Sequence, residues 1–288
     1  MNVRIISVIL VLALANMACG FTIDLPERAK AGPDVKESIT VANPKPALSG
    51  DEVSDETRLT ISFGAGTLKL SPGAKNLVDG DVVYNVKELK PEIITNGNSI
   101  EIKQGDFKNL PPFDDMKNEW DLKLGKSPID LTLQAGAYEA EYELGGLALK
   151  SLTVRDGAAN VDLSFSEPNQ TEMSILRYET GASSVTLSGL ANANFSTLIF
   201  SGGAGDYTLD FSGELQRDAT INIEAGFGDV NLVIPEGVNT KVTVESAAVD
   251  INHNSNWAQN GNLYSQTGEG HTLTIIVKMA AGSLSLND

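Results

Sequence analysis

The chain has 288 residues, 21 basic against 38 acidic side chains, a net charge of −17 and a single cysteine. Such an acidic balance excludes nucleic acid and anionic lipid surfaces as direct electrostatic partners, and one cysteine excludes an intramolecular disulfide. With 41% hydrophobic residues the chain is long enough to bury a sizeable core.

The first element has the layout of an export signal. Met1 to Arg4 carries one positive charge, residues 5–15 are almost unbroken apolar chain, and Ala18-Cys19-Gly20 follows. The apolar run is short for a membrane span and reads as a secretory signal over residues 1–18. The placement of Cys19 resembles the bacterial lipoprotein cleavage site, where that thiol is lipidated. Asn16 departs from the pattern, which favours an aliphatic residue there. The expectation is an extracytoplasmic chain attached to the bacterial cell membrane through a lipid on Cys19.

Residues 19–56 are rich in Pro, Lys, Glu, Asp and Ser, with prolines at 26, 33, 44 and 46. This composition reads as a flexible tether. Residues 57–119 hold short alternating runs, Leu59-Thr-Ile-Ser-Phe63, Leu68-Lys-Leu70, Val82-Val-Tyr-Asn-Val86 and Ile100-Glu-Ile-Lys103. Pro-Gly, Asp-Gly and Asn-Gly turn signals separate them, so a small β layer is expected. A bridging loop over 109–118 would then lead into Trp120-Asp-Leu-Lys-Leu124, the expected opening of a repeat array over 120–288.

The array repeats a glycine-bearing turn followed by apolar residues two apart, as in Gly157-Ala-Ala-Asn-Val161-Asp-Leu163-Ser-Phe165 and Gly203-Ala-Gly-Asp-Tyr207-Thr-Leu209-Asp-Phe211. The aligned positions Ala140, Val161, Val185, Tyr207, Val230 and Val249 are 21, 24, 22, 23 and 19 residues apart. A period near 22 with strand-like alternation predicts an all-β solenoid. Each unit reads as strand, tight glycine turn and strand, too small to bury its own apolar face. The pattern returns at Leu284 and Leu286 after an expected hairpin insertion at about 252–278. The glycines lead into strands and not into helix N-termini, so they read as corners and not as a phosphate cradle.

The run Phe63-Gly-Ala-Gly-Thr-Leu-Lys-Leu-Ser-Pro-Gly-Ala74, then Leu77-Val-Asp-Gly-Asp-Val-Val-Tyr-Asn-Val86 and Lys90-Pro-Glu, resembles the bacterial toast-rack domain. The later glycine-turn strands, an Asn256-Trp257 to Tyr264 hairpin, Thr274-Ile-Ile-Val277 and Ala281-Gly-Ser-Leu-Ser-Leu286 are similar to its stacked β body and to bacterial putative adhesins with related repeats. The resemblance implies an envelope-associated β-solenoid without catalytic residues to carry over. Related modules end membrane proteins of envelope stress sensing.

Candidate chemistry is sparse. Arg155, Arg177 and Arg217 stand at different offsets from their turns, and His253 and His271 lack a Ser or Cys partner in a recognisable motif. No cofactor and no metal site is expected. Asp206 and Asp229 occupy equivalent repeat positions, so stacking would place them about 5 Å apart, either as a solvated polar ladder or as a pair bridged by calcium. Glu139, Glu141 and Glu143 form an outward acidic row. Trp257 and Tyr264 flank Gln-Asn-Gly-Asn, either capping the solenoid end or offering rings to a sugar. The functional expectation is a non-enzymatic adhesion or envelope-interaction lipoprotein that meets an envelope protein or a glycan. The alternatives are an accessory in envelope stress signalling and a polysaccharide-active β-helix enzyme.

Overall fold

The computed structural model describes residues 29–44, 56–106, 115–246 and 248–288; the export signal, Cys19 and the first part of the expected tether lie outside them. In chain order the strands are β1 (Val35–Val41), β2 (Thr57–Pro72), β3 (Val78–Tyr84), β4 (Glu92–Asn96), β5 (Ser99–Lys103), β6 (Asn118–Leu124), β7 (Ile129–Glu143) and β8 (Leu149–Ser164). They continue with β9 (Met173–Ser188), β10 (Phe195–Asp210), β11 (Ala219–Val233), β12 (Val238–Val244), β13 (Val249–His253), β14 (Ala258–Asn260), β15 (Leu263–Gln266) and β16 (Glu269–Asn287). All sixteen belong to one sheet.

The body is a parallel stack in the order β2, β7, β8, β9, β10, β11, β16. Each member is long because one strand serves both layers of the solenoid. Its first half faces inward at every second residue, the phase shifts by one at the glycine, and the second half faces back across the core. Phe200 and Tyr207 show the fold-back directly: they lie on opposite halves of β10, yet their ring centroids are 5.0 Å apart. The glycine is therefore the bend of a continuous strand, not the tight turn between two strands that the repeat suggested.

Register makes the core. Leu59, Leu131, Leu152, Leu176, Leu198, Ile221 and Ile275 form one inward row across the stack. Leu70, Tyr142, Leu163, Leu187, Leu209, Leu232 and Leu286 form the facing row. All are buried, and full burial of such a side chain contributes about 1.5–3 kcal/mol. The bend is made of stacked glycines. A Cβ on Gly136, Gly157, Gly181, Gly203 or Gly226 would run into the backbone oxygen of the glycine one rung before it. Only residues without a Cβ allow the ridge backbones to approach that closely.

The rungs from β7 to β11 keep the repeat, as side-chain bonds between neighbours 21 residues apart (Ser151 to Asp130) and 24 apart (Arg155 to Glu179) show. The period fails at both ends because the outermost long strands are paired out of sequence order. β2 sits directly on β7, and its two halves are covered on the outside by β5 and β6. β16 sits directly on β11, and its two halves are covered by β12 and β13. The antiparallel strands β4, β3 and β1 finish one end, and β15 and β14 finish the other.

Several expectations are corrected by this arrangement. No boundary separates 57–119 from 120–288: β2 already belongs to the stack, while β6 with Trp120 is an outer half-rung of the cap and does not open the array. Residues 35–41, placed in the tether by composition, form β1, whose Ile39 and Val41 are buried against β3. Val249 is not the next rung after Val230; that place is taken by Leu284, with Ile251 beyond it. The segment 252–278 is accordingly no insertion, since it contains the first half of β16 as well as the β14–β15 hairpin. Near residue 245, where the sequence has no glycine, β12 and β13 are two strands, whereas each of β7 to β11 is one.

Candidate interaction surface

Outside the bend runs a ridge of small residues. Ala65 pairs with Ala137, Ala137 with Ala158, and Ala182 with Ala204, each beside a stacked glycine. At the next rung the small residue is replaced by Phe227, 64% exposed, with Ala281 following it. Gly226, the chain neighbour of Phe227, lines a shallow groove of about 510 Å³ together with Gly203, Glu224, Glu245 and Lys278; the Phe227 ring itself is not part of the lining. Lys278 lies 3.5 Å from Glu245. The surface thus offers an exposed aromatic ring on the ridge and, separately, a glycine-lined groove with the carboxylates of Glu224 and Glu245.

The predicted pair Asp206 and Asp229 is in register on β10 and β11, as expected. Their row continues through Glu139, Asn160, Ser184, Ser283 and Asp250. Asp229 accepts a 2.6 Å hydrogen bond from the Ser283 hydroxyl. Among the described residues no three His, Cys, Asp or Glu side chains are grouped to hold a metal ion. Along the row carboxylates are interspersed with hydroxyl and amide side chains.

The other singled-out residues are engaged elsewhere. Glu141 is tied to Lys69 at 2.7 Å. Glu143 leaves the acidic row altogether: burial pushes its carboxyl up, but bonds from the Gly145 and Ser166 amides and the Ser164 hydroxyl outweigh that and hold it low. Arg155 and Arg177 both pair with Glu179, and Arg217 with Glu172. His271 lies 3.5 Å from Asp218, whereas His253 packs edge-on against Tyr264. Trp257 and Tyr264 are each only 4% exposed, so their rings close the solenoid end and offer no open face to a sugar.

Beneath the ridge lies a cluster that the sequence did not disclose. Asp156, at the bend of β8, accepts from the Tyr178 hydroxyl at 2.7 Å and from Tyr138 at 3.3 Å, while Tyr142 donates to Tyr138 at 3.2 Å. Its other oxygen is buried without a partner at hydrogen-bonding geometry. Burial pushes the Asp156 carboxyl up, an effect that the Thr180, Tyr178, Tyr138 and Ser183 hydroxyls partly offset. Burial likewise holds Tyr178 well above the usual phenol range and Tyr207 up at about 12. A carboxylate whose folded pKa is raised contributes stability that is full below its unfolded value, near 4, and lost as pH rises through the folded value. Asp156→Asn keeps an oxygen for Tyr178 and removes the charge. It is expected to raise the thermal midpoint at pH 7 by a few degrees, equivalent to about 1–2 kcal/mol, and to flatten the pH dependence just above pH 4. A lower midpoint in a thermal-shift series would show that the ionised form is needed.

Comparison with known proteins decides the family. The model for the N-terminal domain of toast_rack, DUF2154, matches residues 30–188 and again residues 168–233. The chain belongs to the toast-rack family. Its match begins just before β1, in accord with that strand being part of the folded body, and the second match restarts on the middle rungs, as stacked repeats permit. Among solved structures, a "putative adhesin" from Bacteroides fragilis is 9% identical, with 90% of this chain and 99% of that one covered at a TM-score of 0.50. A "putative cell adhesion protein" from Clostridium sporogenes is 21% identical, with 88% and 99% covered at a TM-score of 0.48. No curated protein matches. Among the described residues no helix is long and apolar enough to cross a membrane.

The ridge was partly legible. Gly-Ala recurs at 64–65, 136–137, 157–158, 181–182 and 203–204, and Gly226-Phe227 is its visible departure. The tyrosine cluster had no such signal, because Tyr138, Asp156 and Tyr178 meet only through register.

Proposed function

We propose that this toast-rack protein is a non-enzymatic adhesion or interaction module of a bacterial cell envelope, anchored by a lipid on Cys19. The observation that carries the reading is Phe227, a large apolar ring 64% exposed in a row otherwise made of alanines, one residue along the chain from the groove-lining Gly226. An exposed aromatic face suits the flat apolar side of a sugar ring, and the groove carboxylates suit its hydroxyl edge. The stack supports it as a rigid platform, and the net charge of −17 favours uncharged or cationic surfaces over anionic ones. The name of the Bacteroides fragilis protein accords with this use of the fold.

The test is binding of the full chain to isolated envelope polysaccharide and peptidoglycan. Phe227→Ser is expected to weaken retention at least tenfold, about 1.4 kcal/mol, with an unchanged melting midpoint. Retention equal to the parent chain would remove the ridge from the account. In the same preparation Cys19→Ala is expected to leave the membrane fraction and lose the mass of the lipid; unchanged partition and mass would refute the anchor.

A further inference from the structure

The sheet has strand edges at its N-terminal end, and they are not equally protected. β1 carries Lys36 and Glu37, tied to Asp81 and Lys90. β4, Glu-Ile-Ile-Thr-Asn, has neither lysine nor proline within it, and all five of its residues are exposed. Ile93 is 45% and Ile94 46% exposed, two of the four large apolar side chains that stand out among the described residues. Among the described residues only β5 pairs with it, so within that set its outer edge has no strand partner. Natural sheets blunt such edges with charge, proline, a bulge or a cover, because an exposed apolar edge is a template for another strand.

We propose that β4 is a homotypic junction at which two copies of the chain join antiparallel, edge to edge, about a two-fold axis through Ile94. The local geometry fits this register. Asn96 and Ser99 close the β4–β5 hairpin around Gly97 and Asn98, with Gly97 at φ 58°. In a two-residue hairpin the closing residues are a hydrogen-bonded pair, and bonding alternates from there. Glu92, Ile94 and Asn96 thus bond inward to β5, while the backbone groups of Ile93 and Thr95 point to the free edge. Centred on Ile94, Ile93 of one copy meets Thr95 of the other and exchanges both hydrogen bonds. Glu92 then faces Asn96 rather than a second Glu92, so no like charges are opposed across the junction.

Charge along the stack selects a second copy as the occupant. Among the described residues, those up to Lys126 hold 11 basic and 12 acidic side chains, whereas those after it hold 6 and 20. Copies approaching through this nearly neutral end keep their acidic bodies apart; any contact through the opposite end would bring those bodies together. An isologous contact of this kind closes on itself, because the β4 edge of each copy is taken up by the other.

The test uses the full chain with cysteine placed at the junction. Ile94 of the two copies would be a non-hydrogen-bonded pair with Cα atoms about 4.5 Å apart, within disulfide reach. Ile94→Cys is expected to give a disulfide-linked dimer as the major species on a non-reducing gel after mild oxidation, and Asn160→Cys on the exposed face of β8 is not. Sedimentation of the parent chain should show a dimer that Ile94→Lys converts to monomer with unchanged melting. Cross-linking no greater at 94 than at 160, or a parent chain that sediments as a monomer, overturns the proposal. So does an apolar edge that instead sends the monomer onto neutral phosphatidylcholine vesicles.

Discussion

Replacing Gly203 with alanine is expected to lower the unfolding free energy by about 2–3 kcal/mol, and Gly157 with alanine by only about 1 kcal/mol. At position 203 the new methyl would be driven into the carbonyl group of Gly181, with its Cβ overlapping the oxygen and 3.2 Å from the carbon, so backbone and not a flexible side chain would have to move. At position 157 a Cβ would stand 3.0 Å from the Gly136 oxygen, a contact relieved by a shift of a few tenths of an ångström. Alanine also restricts the unfolded chain, which stabilises by about 0.4–1 kcal/mol and sets the floor of the milder case. Denaturant midpoints for the two variants decide the matter. Equal losses would mean that the ridge is not limited by close backbone approach.

Phe200→Ala should be the most damaging single truncation in the body, costing about 3–5 kcal/mol. The ring is wholly buried, stacked on Tyr178 at 5.6 Å and edge-on to Tyr207 at 5.0 Å. Neighbouring rungs fix both sides of the space it would leave, since Tyr178 and Ile223 are its register partners on β9 and β11. The walls therefore have little freedom to collapse, and a cavity that cannot collapse carries the larger penalty. Thermal and denaturant unfolding of Phe200→Ala beside Phe200→Leu would measure it. A loss below about 1.5 kcal/mol for the alanine variant would show that the rack slides to refill the gap.

The stack itself was legible because its cause is local. Inward residues two apart and a glycine at a fixed offset recur within each of β7 to β11, and nothing outside the unit is needed to read them. The ends were misread because their cause is distant. Val249 has the right spacing from Val230, yet Leu284 outcompetes it: β16 is one unbroken strand able to pair along the full length of β11, whereas β12 and β13 are interrupted between them. Composition misled in the same way at residues 35–41, where Lys36 and Glu37 suggested solvent but Ile39 and Val41 find a partner in β3. As for the surface, the register of Asp206 with Asp229 followed from the repeat, whereas the burial of Trp257 and Tyr264 depended on how the end closes.

That closure also bears on the order in which the molecule can be made. The middle rungs join segments about two dozen residues apart, but Asp229 must find Ser283 across 54 residues and Lys69 must find Glu141 across 72. Loop closure grows costlier with separation, so the interior can zip step by step while both ends wait for distant chain. β16 comes later in the sequence than β11, β12 and β13, yet it slots between β11 and the β12–β13 pair. Without it β11 would keep an open edge, and β12, with the β14–β15 hairpin that pairs with it, would have no strand joining it to the stack. β16 is thus the clasp of the stack: until it is in place, β11 and β12 each keep an edge open.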